Sequence, residues 1–405
     1  MNKVVFISHG HPELSKGGAE IASWNLYQFL KSEGIECLYI ARADTKSHGG
    51  SAFSQRGEEI LFHTGIHDWF NLTTNSTKQL FGDLNSLLAD FKPDIVHVHH
   101  FAHMGIEIFS AIKRAVPQAN LVFTLHEFMA MCMHNGQMVK KDTLKLCNKA
   151  IYADCHKCFP QHSPGDFFLR KQFLLDQFCY VDAFVSPSQF LADRYVEWGI
   201  SESKMKVIEN VLPKIEPIPP RTLHGGEKRI RFAFFGQINP YKGLDLLLKA
   251  ILLLPDHIKR EIRLDVHGAN LDLQESEFKD KVTLLLDQLS GIVHLRGQYE
   301  SEQLPSRMAE CDWVIIPSIW WENSPVVIQE AIRFGRPLIG ANIGGMKEKI
   351  EGKAGLTFEA RSASSLAERI VQATEPEVFD YWHGELSHYT CAESAHLAFL
   401  RSLTA

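Results

Sequence analysis

The sequence predicts an α/β protein of two domains, each built on a parallel sheet of the Rossmann type. The first observation is length, because 405 residues exceed what one hydrophobic core usually serves. The second is that short β-branched runs alternate with amphipathic helical segments, which is typical of βαβ units. The third is that this pattern occurs twice, on either side of a stretch rich in proline and glycine.

Composition narrows the class of protein. The chain is 45% hydrophobic and 22% charged, which is enough apolar material for two cores. A formal net charge of -6 argues against a nucleic-acid partner, since phosphate binding needs an excess of Lys and Arg. The apolar run at the start is too short for a secretory signal, and no stretch is long enough to span a bilayer. We therefore expect a cytoplasmic protein.

In the first half, residues 3–8 are predicted to form a buried strand, and Gly17-Gly18 opens a helix that reaches about Lys31. Further strands are predicted at 35–41, 94–98, 121–125 and 183–186. Residues 128–160 stand where a short connection is usual, so they are interpreted as an insertion. We assign residues 1–212 to the N-terminal domain.

The pattern restarts in the second half with a strand at 230–235 and a helix at 244–254. Strands follow at 262–266, 292–295, 313–316 and 337–340. The predicted domains are joined by a linker at 213–229, whose prolines and glycines oppose regular structure. The C-terminal domain spans 230–374, and residues 375–405 are predicted to form a helical segment that packs across the domain junction.

Two loops that follow strands of the second half carry candidate site residues. Lys242 stands just before a helix, where its charge and the unpaired amides of the helix start suit a diphosphate. Glu322 lies in the entry of another helix, with Asn323 or Ser324 as its cap, and Glu330 lies inside it. Carboxylates can accept hydrogen bonds from the vicinal hydroxyls of a sugar or a ribose. The plain alternatives are a solvated lysine and two ordinary glutamates.

The first half contributes weaker signals. Gly17 and Gly18 stand at a strand-to-helix junction, where backbone can approach a phosphate or sugar closely. His126 follows a strand and is therefore expected at the ligand-binding edge of the sheet. A lone histidine is more often structural, and only the position of His126 at the end of a strand favours a functional role.

A cysteine cluster lies in the predicted insertion: Cys132, Cys147, Cys155 and Cys158. Its terminal Cys-x2-Cys and two further thiols are compatible with a tetrahedral structural zinc site, while free thiols or a disulfide stay open as alternatives. A second metal site is not favoured, because His97 and His99 alternate along a strand without a placed carboxylate.

Residues 167–175 mix aromatic side chains with Arg170 and Lys171. This composition suits a helix at a membrane interface, and a helix buried against the sheet explains it equally well.

Together these motifs resemble the family-4 retaining glycosyltransferases, which have the GT-B fold of two facing Rossmann-like domains with an interdomain cleft. The matching positions occur in order along nearly the whole chain: Gly17-Gly18-Ala19-Glu20, His126, Ser186-Pro187-Ser188, Asn210, Lys242-Gly243, and the Glu-x7-Glu pair Glu322 and Glu330. The resemblance implies an acceptor domain first and a nucleotide-sugar donor domain second.

The resemblance also implies roles for single residues. Lys242 would hold the donor diphosphate, Glu322 the transferred sugar and Glu330 the ribose, and His126 would contact the sugar near the reacting carbon. The loop amides implied in donor binding are those of Asn323, Ser324 and Val326. Relatives usually have arginine where this chain has Gln237, which can donate a hydrogen bond but brings no charge.

The predicted function is therefore transfer of a sugar, with retention, from a nucleotide-diphosphate donor to a hydroxyl acceptor in glycan synthesis. No Asp-x-Asp motif occurs, so catalysis is expected to need no metal or other cofactor. Many relatives use lipid-linked acceptors, which implies peripheral contact with the inner face of a membrane. The alternatives are a non-catalytic protein that binds sugar nucleotides, hinted at by Gln237, and another GT-B enzyme such as a nucleotide-sugar epimerase.

Overall fold

A computed structural model describes residues 1–15, 17–43, 51–76, 78–386 and 392–404. The chain divides into two compact units. The first comprises Met1–Val211 together with Cys391–Ala405, and the second comprises Leu212–Thr390. Within the described ranges, no helix is long and apolar enough to cross a bilayer.

The first unit is a sheet covered by helices. Its strands are β1 (Lys3–Ser8), β2 (Glu36–Ala43), β3 (Phe53–Arg56), β4 (Glu59–His63), β5 (Ile95–Val98), β6 (Asn120–Thr124), β7 (Ala183–Ser186) and β8 (Met205–Val207). Its helices before the second unit are α1 (Gly18–Ser32), α2 (Asn85–Phe91), α3 (Ile108–Ala115), α4 (Tyr152–Cys158), α5 (Pro164–Phe178) and α6 (Gln189–Trp198).

Strands of the first sheet lie in the order β3-β4-β2-β1-β5-β6-β7-β8. Pairing is parallel from β4 to β8, as in Val4 beside Cys37 and Ile95, whereas β3 and β4 form an antiparallel pair. The central strand β1 is buried on both faces, which explains its continuous apolar run. The order reverses direction between β1 and β5, so the loops after these two strands mark the expected ligand-binding edge.

The second unit has the strands β9 (Arg231–Phe235), β10 (Arg263–His267), β11 (Val293–Leu295), β12 (Trp313–Ile316), β13 (Leu338–Ala341) and β14 (Gly355–Phe358). Its helices are α7 (Leu244–Leu252), α8 (Asp256–Glu261), α9 (Ser276–Gln288), α10 (Leu304–Ala309), α11 (Val326–Arg333), α12 (Gly344–Ile350), α13 (Ala363–Ala373) and α14 (Pro376–Glu385). The chain then returns to the first unit as α15 (Ala392–Ser402).

Every pairing in the second sheet is parallel, in the order β11-β10-β9-β12-β13-β14. This is the strand order of a Rossmann fold, in which the topological switch point lies between the first and fourth strands. Here those strands are β9 and β12. Their following loops contain Lys242 and Glu322, which places both predicted residues at the switch point.

Two Rossmann-like units with parallel sheets confirm the predicted fold class. Strands β3, β4, β8 and β14 were not predicted. Residues 375–405, predicted to form one helical segment, are divided in the structure, since α14 belongs to the second unit and α15 to the first. The helix α15 is held by the first unit, since the His396 ring nitrogen Nε2 bonds the Glu209 carbonyl at 2.9 Å.

Candidate functional site

The loop after β9 is shaped by Asn239 and Gly243. The Asn239 side chain accepts hydrogen bonds from the amides of Tyr241 and Lys242 at 3.0 and 3.1 Å, which caps a short 3-10 turn. Gly243 follows in the left-handed conformation with φ 72° and begins α7. A Cβ at Gly243 would collide with the Pro317 carbonyl oxygen, so the loops after β9 and β12 approach as closely as only glycine allows.

Glu322 is the centre of the loop after β12. One carboxylate oxygen, Oε1, accepts from Lys242 Nζ at 2.6 Å, Trp320 Nε1 at 2.8 Å and Ser318 Oγ at 2.9 Å. Glu322 is only 8% exposed, while 28% of the Lys242 side chain is exposed. The two residues predicted to hold the donor thus form an ion pair, with the lysine open to solvent.

The ion pair decides the charge state of Glu322. Burial acts to raise the pKa of this carboxyl, but the charge of Lys242 and the hydrogen bonds from Lys242, Trp320 and Ser318 outweigh burial. The net pKa lies below its ordinary value, so the group is an ionised acceptor at neutral pH.

The helix that carries Glu330 begins one residue later than predicted. Its N-cap is Pro325, without a side-chain cap, so the assignment of Asn323 or Ser324 as the cap is wrong. Among the first amides of α11, that of Ile328 donates to the Pro325 carbonyl at 2.9 Å, whereas those of Val326 and Val327 precede the first intrahelical hydrogen bonds. The loop before α11 is also fixed by the start of α12, because the Gly345 amide donates to the Glu322 carbonyl at 2.7 Å.

Glu330 lies apart from the ion pair, in the middle of α11. Burial raises the pKa of its carboxyl to about 7. Its charge acts on Tyr299, whose hydroxyl pKa is raised chiefly by burial and then by Glu330. The Tyr299 ring stands edge-on to Phe235 and His267, which follow one another across the carboxyl ends of β9 and β10. A half-buried carboxyl beside an aromatic wall suits a nucleoside.

Gln237 follows Gly236 directly after β9 and is exposed. The backbone around it is fixed, because the Gly236 amide donates to the His267 carbonyl at 3.0 Å and the Ile238 amide to the Ala269 carbonyl at 2.8 Å. The Gln237 side chain is therefore presented to solvent at the carboxyl edge of the sheet.

In the first unit, His126 lies at the carboxyl edge beside β6, as predicted. Its Nε2 is 3.1 Å from Nδ1 of the buried His99. Burial, followed by the nearby imidazoles of His100, His9 and His97, holds the pKa of His126 well below its ordinary value. The ring is therefore neutral at pH 7, and it can donate or accept a hydrogen bond without carrying charge.

The two glycines at the start of α1 have different surroundings from each other. A Cβ at Gly17 would collide with the Glu20 carboxylate, which is 4% exposed and also accepts from Ser15 Oγ at 3.0 Å. Gly18 has open space around its Cβ position. The space beside Gly17 is thus occupied by the Glu20 carboxylate, whereas the space beside Gly18 is open.

Sequence reasoning missed a set of ionisable groups at the switch point of the first sheet. His9 follows β1 and His100 follows β5, and their ring centroids are 4.1 Å apart. His9 Nε2 lies 3.4 Å from Glu20 Oε1, and His100 Nε2 lies 3.3 Å from Glu127 Oε1. Burial raises the pKa of Glu127 to about 8. Their position after β1 and β5 was the available signal, since those strand ends mark the switch point.

All four predicted cysteines of the insertion lie together and are not in disulfides. In the described part of the chain, no group of three or more His, Cys, Asp or Glu side chains is placed so that it could hold a metal ion.

Comparison with protein families agrees with this architecture. The family model described as Glycosyltransferase Family 4 matches residues 16–213, and the model described as Glycosyl transferases group 1 matches residues 220–380. Two Rossmann-like units with these two matches define a glycosyltransferase of the GT-B class. More specifically, the chain belongs to the family-4 glycosyltransferases.

Known relatives are distant in sequence. An uncharacterized 42.6 kDa protein of the cps region of Klebsiella pneumoniae is 22% identical over 82% of this chain and 83% of its own length. An uncharacterized 41.2 kDa protein of that region is 25% identical over 55% of this chain, and the match spans 58% of that relative. Glycogen synthase of Thermus thermophilus is 32% identical over 31% of this chain and 28% of its own length.

Solved structures share the fold along the whole chain. Anabaena HepE in complex with UDP and glucose superposes with a TM-score of 0.67 at 16% identity, covering 100% of both chains. Sucrose-phosphate synthase of Thermosynechococcus elongatus gives 0.71 at 14% identity, covering 99% of this chain and 98% of that one.

Proposed function

We propose that this protein is a retaining, metal-independent glycosyltransferase that moves a sugar from a nucleotide-diphosphate donor to a hydroxyl acceptor in cell-surface polysaccharide synthesis. The observation that carries the proposal is the Lys242–Glu322 pair of 2.6 Å at the switch point of the second sheet. A cation and an ionised carboxylate side by side can receive a diphosphate and the hydroxyls of the sugar attached to it.

In this proposal Lys242 neutralises the β-phosphate as the bond between it and the anomeric carbon breaks. Glu322 Oε1 already accepts three hydrogen bonds, so its other oxygen, Oε2, is the acceptor for sugar hydroxyls. The amides at the start of α11, from Val326 onward, add donors for the phosphate, and Gln237 supplies a neutral one. The backbone amides of Asn323 and Ser324 are assigned to donor binding, as the family resemblance implies.

Glu330 is assigned to the ribose hydroxyls. His126 is assigned to the transferred sugar on the family resemblance, and its neutral ring suits a hydrogen bond to a hydroxyl. The acceptor hydroxyl attacks the anomeric carbon on the face that the phosphate leaves, and the leaving phosphate takes the acceptor's proton. The product then keeps the anomeric configuration of the donor.

The relatives suggest which donor to test first. HepE was solved with UDP and glucose, so UDP-glucose leads a panel that also includes guanosine, adenosine and thymidine diphosphate sugars. Binding to the folded state raises apparent thermal stability, which identifies the donor. The cps-region relatives suggest a growing polysaccharide repeat unit as the acceptor.

The decisive test combines transfer and product analysis with the identified donor. We expect Lys242→Ala and Glu322→Gln to lower kcat by at least about 100-fold, the scale of losing a transition-state donor. Lys279→Ala, which breaks an exposed ion pair elsewhere in the second unit, is the matched control. Nuclear magnetic resonance of the product should show retention, and Mg²⁺ or Mn²⁺ should not raise the rate. Binding without hydrolysis or transfer would instead establish the non-catalytic alternative, and an epimerised donor the epimerase.

Peripheral membrane contact is proposed for the exposed side of α5. The opposite side, with Phe167, Arg170 and Leu174, is buried, whereas Phe168 is 47% and Leu169 63% exposed. Exposed aromatic and aliphatic side chains favour insertion between lipid headgroups. Flotation with anionic vesicles should show binding that Leu169→Glu weakens, and absence of wild-type binding would contradict this part of the proposal.

A further inference from the structure

The segment that follows His126 folds around the four cysteines. Cys132 lies in a turn, and residues 138–147 fold back as a hairpin, since the Cys147 amide donates to the Met138 carbonyl at 2.8 Å. Cys155 and Cys158 are three residues apart in α4, so they share one face of the helix. Three separate pieces of local structure thus bring their thiols to one place.

These thiols line a single cavity of about 20 Å³. This volume is close to what one water-sized sphere needs. The four thiols lie so close together that negative charge on any one of them would raise the pKa of each of the others. The rest of the lining includes the apolar side chains of Met131, Met138, Val139 and Phe159. The cavity therefore has room for one ion in a shell of sulfur.

Backbone donors face one of these sulfurs. The backbone amides of His134 and Met138 donate hydrogen bonds to the Cys132 sulfur. Hydrogen bonds of this kind orient a metal ligand from outside its coordination shell. Burial nevertheless raises the pKa of Cys132, that of Cys147 to about 11 and that of Cys155 to about 12, so these groups are neutral thiols whose protons only a bound metal ion would displace.

Buried positive charge faces the same cluster. Arg170 is 3% exposed, and its guanidinium donates to the carbonyl oxygens of Phe70, Met129 and Ala130. It also lies within electrostatic range of Cys132 and Cys155. Lys140, paired with Asp154 at 2.9 Å, faces Cys147 and Cys158. Carbonyls do not neutralise a buried cation, and the Glu127 carboxyl that also faces Arg170 has a pKa raised by burial to about 8, whereas a four-thiolate zinc centre of net charge -2 would supply the opposite charge.

We propose that Cys132, Cys147, Cys155 and Cys158 bind one structural Zn²⁺ ion. Four sulfur ligands without an open position are typical of structural zinc, and no catalytic role follows. Binding releases four protons as four thiols become thiolates around the ion, so the side chains, which do not yet converge on one point, close on it. The zinc would tie α4 and the hairpin together in the segment that follows His126.

The test is the metal content of the purified full-length chain, measured by inductively coupled plasma mass spectrometry. We expect about one zinc per chain in the wild type and less than about 0.2 in Cys155→Ser, because a structural site needs all four ligands. Cys179→Ser is the matched control, since Cys179 is an exposed free thiol just after α5. It should keep the full zinc content.

A second measurement covers the case in which Cys155→Ser does not fold. Titrating wild-type protein with an organomercurial should release one zinc ion as the four cluster thiols react, after the exposed Cys179 has reacted, and a metallochromic dye follows that release. Wild-type protein in which Co²⁺ replaces Zn²⁺ should show the sulfur-to-cobalt charge-transfer band of a tetrahedral thiolate site. Wild-type protein without zinc, with iron in its place, with these cysteines in disulfides, or with unchanged zinc in Cys155→Ser would overturn the proposal.

Discussion

The ion pair of Lys242 and Glu322 yields the sharpest prediction for stability. In Lys242→Ala, the Glu322 carboxylate stays 8% exposed with only Trp320 and Ser318 as donors. Breaking a fully buried pair costs about 3–5 kcal/mol. Since 28% of the Lys242 side chain is exposed, solvent screens part of this, and we expect a loss of about 1–3 kcal/mol in the free energy of unfolding.

Urea denaturation of the full chain measures this loss in Lys242→Ala, Glu322→Gln and the double variant. Because the two side chains touch, the losses in the two single variants should not add up to the loss in the double variant. The double-mutant cycle should give a coupling energy of about 1 kcal/mol or more. Lys279→Ala removes a similarly short but exposed pair with Asp272, at 2.7 Å, and should cost much less than Lys242→Ala because solvent screens that pair. A Lys242→Ala loss no larger than that of Lys279→Ala, or a coupling within about 0.3 kcal/mol, would refute the reasoning.

The same pair predicts opposite changes in binding and turnover. A nucleoside diphosphate must draw Lys242 away from Glu322, so Glu322→Gln frees the lysine and should tighten binding of the free nucleotide. A gain of about 1 kcal/mol corresponds to roughly fivefold in Kd. Transfer should nevertheless fall, since the sugar loses its charged acceptor. Calorimetry that shows weaker nucleotide binding in Glu322→Gln would contradict competition for Lys242.

Three further predictions concern single positions. Gly243→Ala should lose more than about 2 kcal/mol of stability, because its Cβ meets the Pro317 carbonyl at φ 72°, whereas Gly291→Ala, at φ 86° in open space, should lose only about 1 kcal/mol in urea denaturation. Burial raises the pKa of Glu330 to about 7, so this carboxyl is protonated below pH 7 and ionised above. Calorimetry with an intact nucleotide sugar should show affinity that rises up to about tenfold per pH unit until pH 7, and Glu330→Gln should remove that dependence. Arg170→Met leaves three backbone carbonyls without their donor and should lower the free energy of unfolding by more than about 2 kcal/mol, and a thermal midpoint unchanged from wild type would contradict this.

Local sequence patterns predicted most strands of the two sheets. The strands β1, β7 and β12 contain continuous apolar runs because both faces are covered, and a continuous buried run is visible in sequence. The hairpin of β3 and β4 escaped prediction because its residues are mostly half-buried and contain charged and polar side chains. Such an edge hairpin is stabilised by its partner strand β2 rather than by its own periodicity.

The candidate site likewise contains some residues that the sequence predicts and others that it does not. Lys242, Glu322 and Glu330 were predictable because each stands at a fixed distance from a recognisable strand or helix start. The residues around His126 were not, since His9, His100 and Glu127 belong to different loops. Only the adjacency of β1, β5 and β6 brings those loops together.

The sequence by itself determined the fold class, the family and the positions of the candidate donor residues, because alternation of strands and helices and motif spacing are local properties of the chain. Only the tertiary structure decided which of these residues touch. Lys242 meets Glu322, 80 residues away, because β12 lies beside β9. His100 meets Glu127, because β5 lies beside β6. Such contacts depend on strand order and loop approach, which hydrophobic periodicity does not encode.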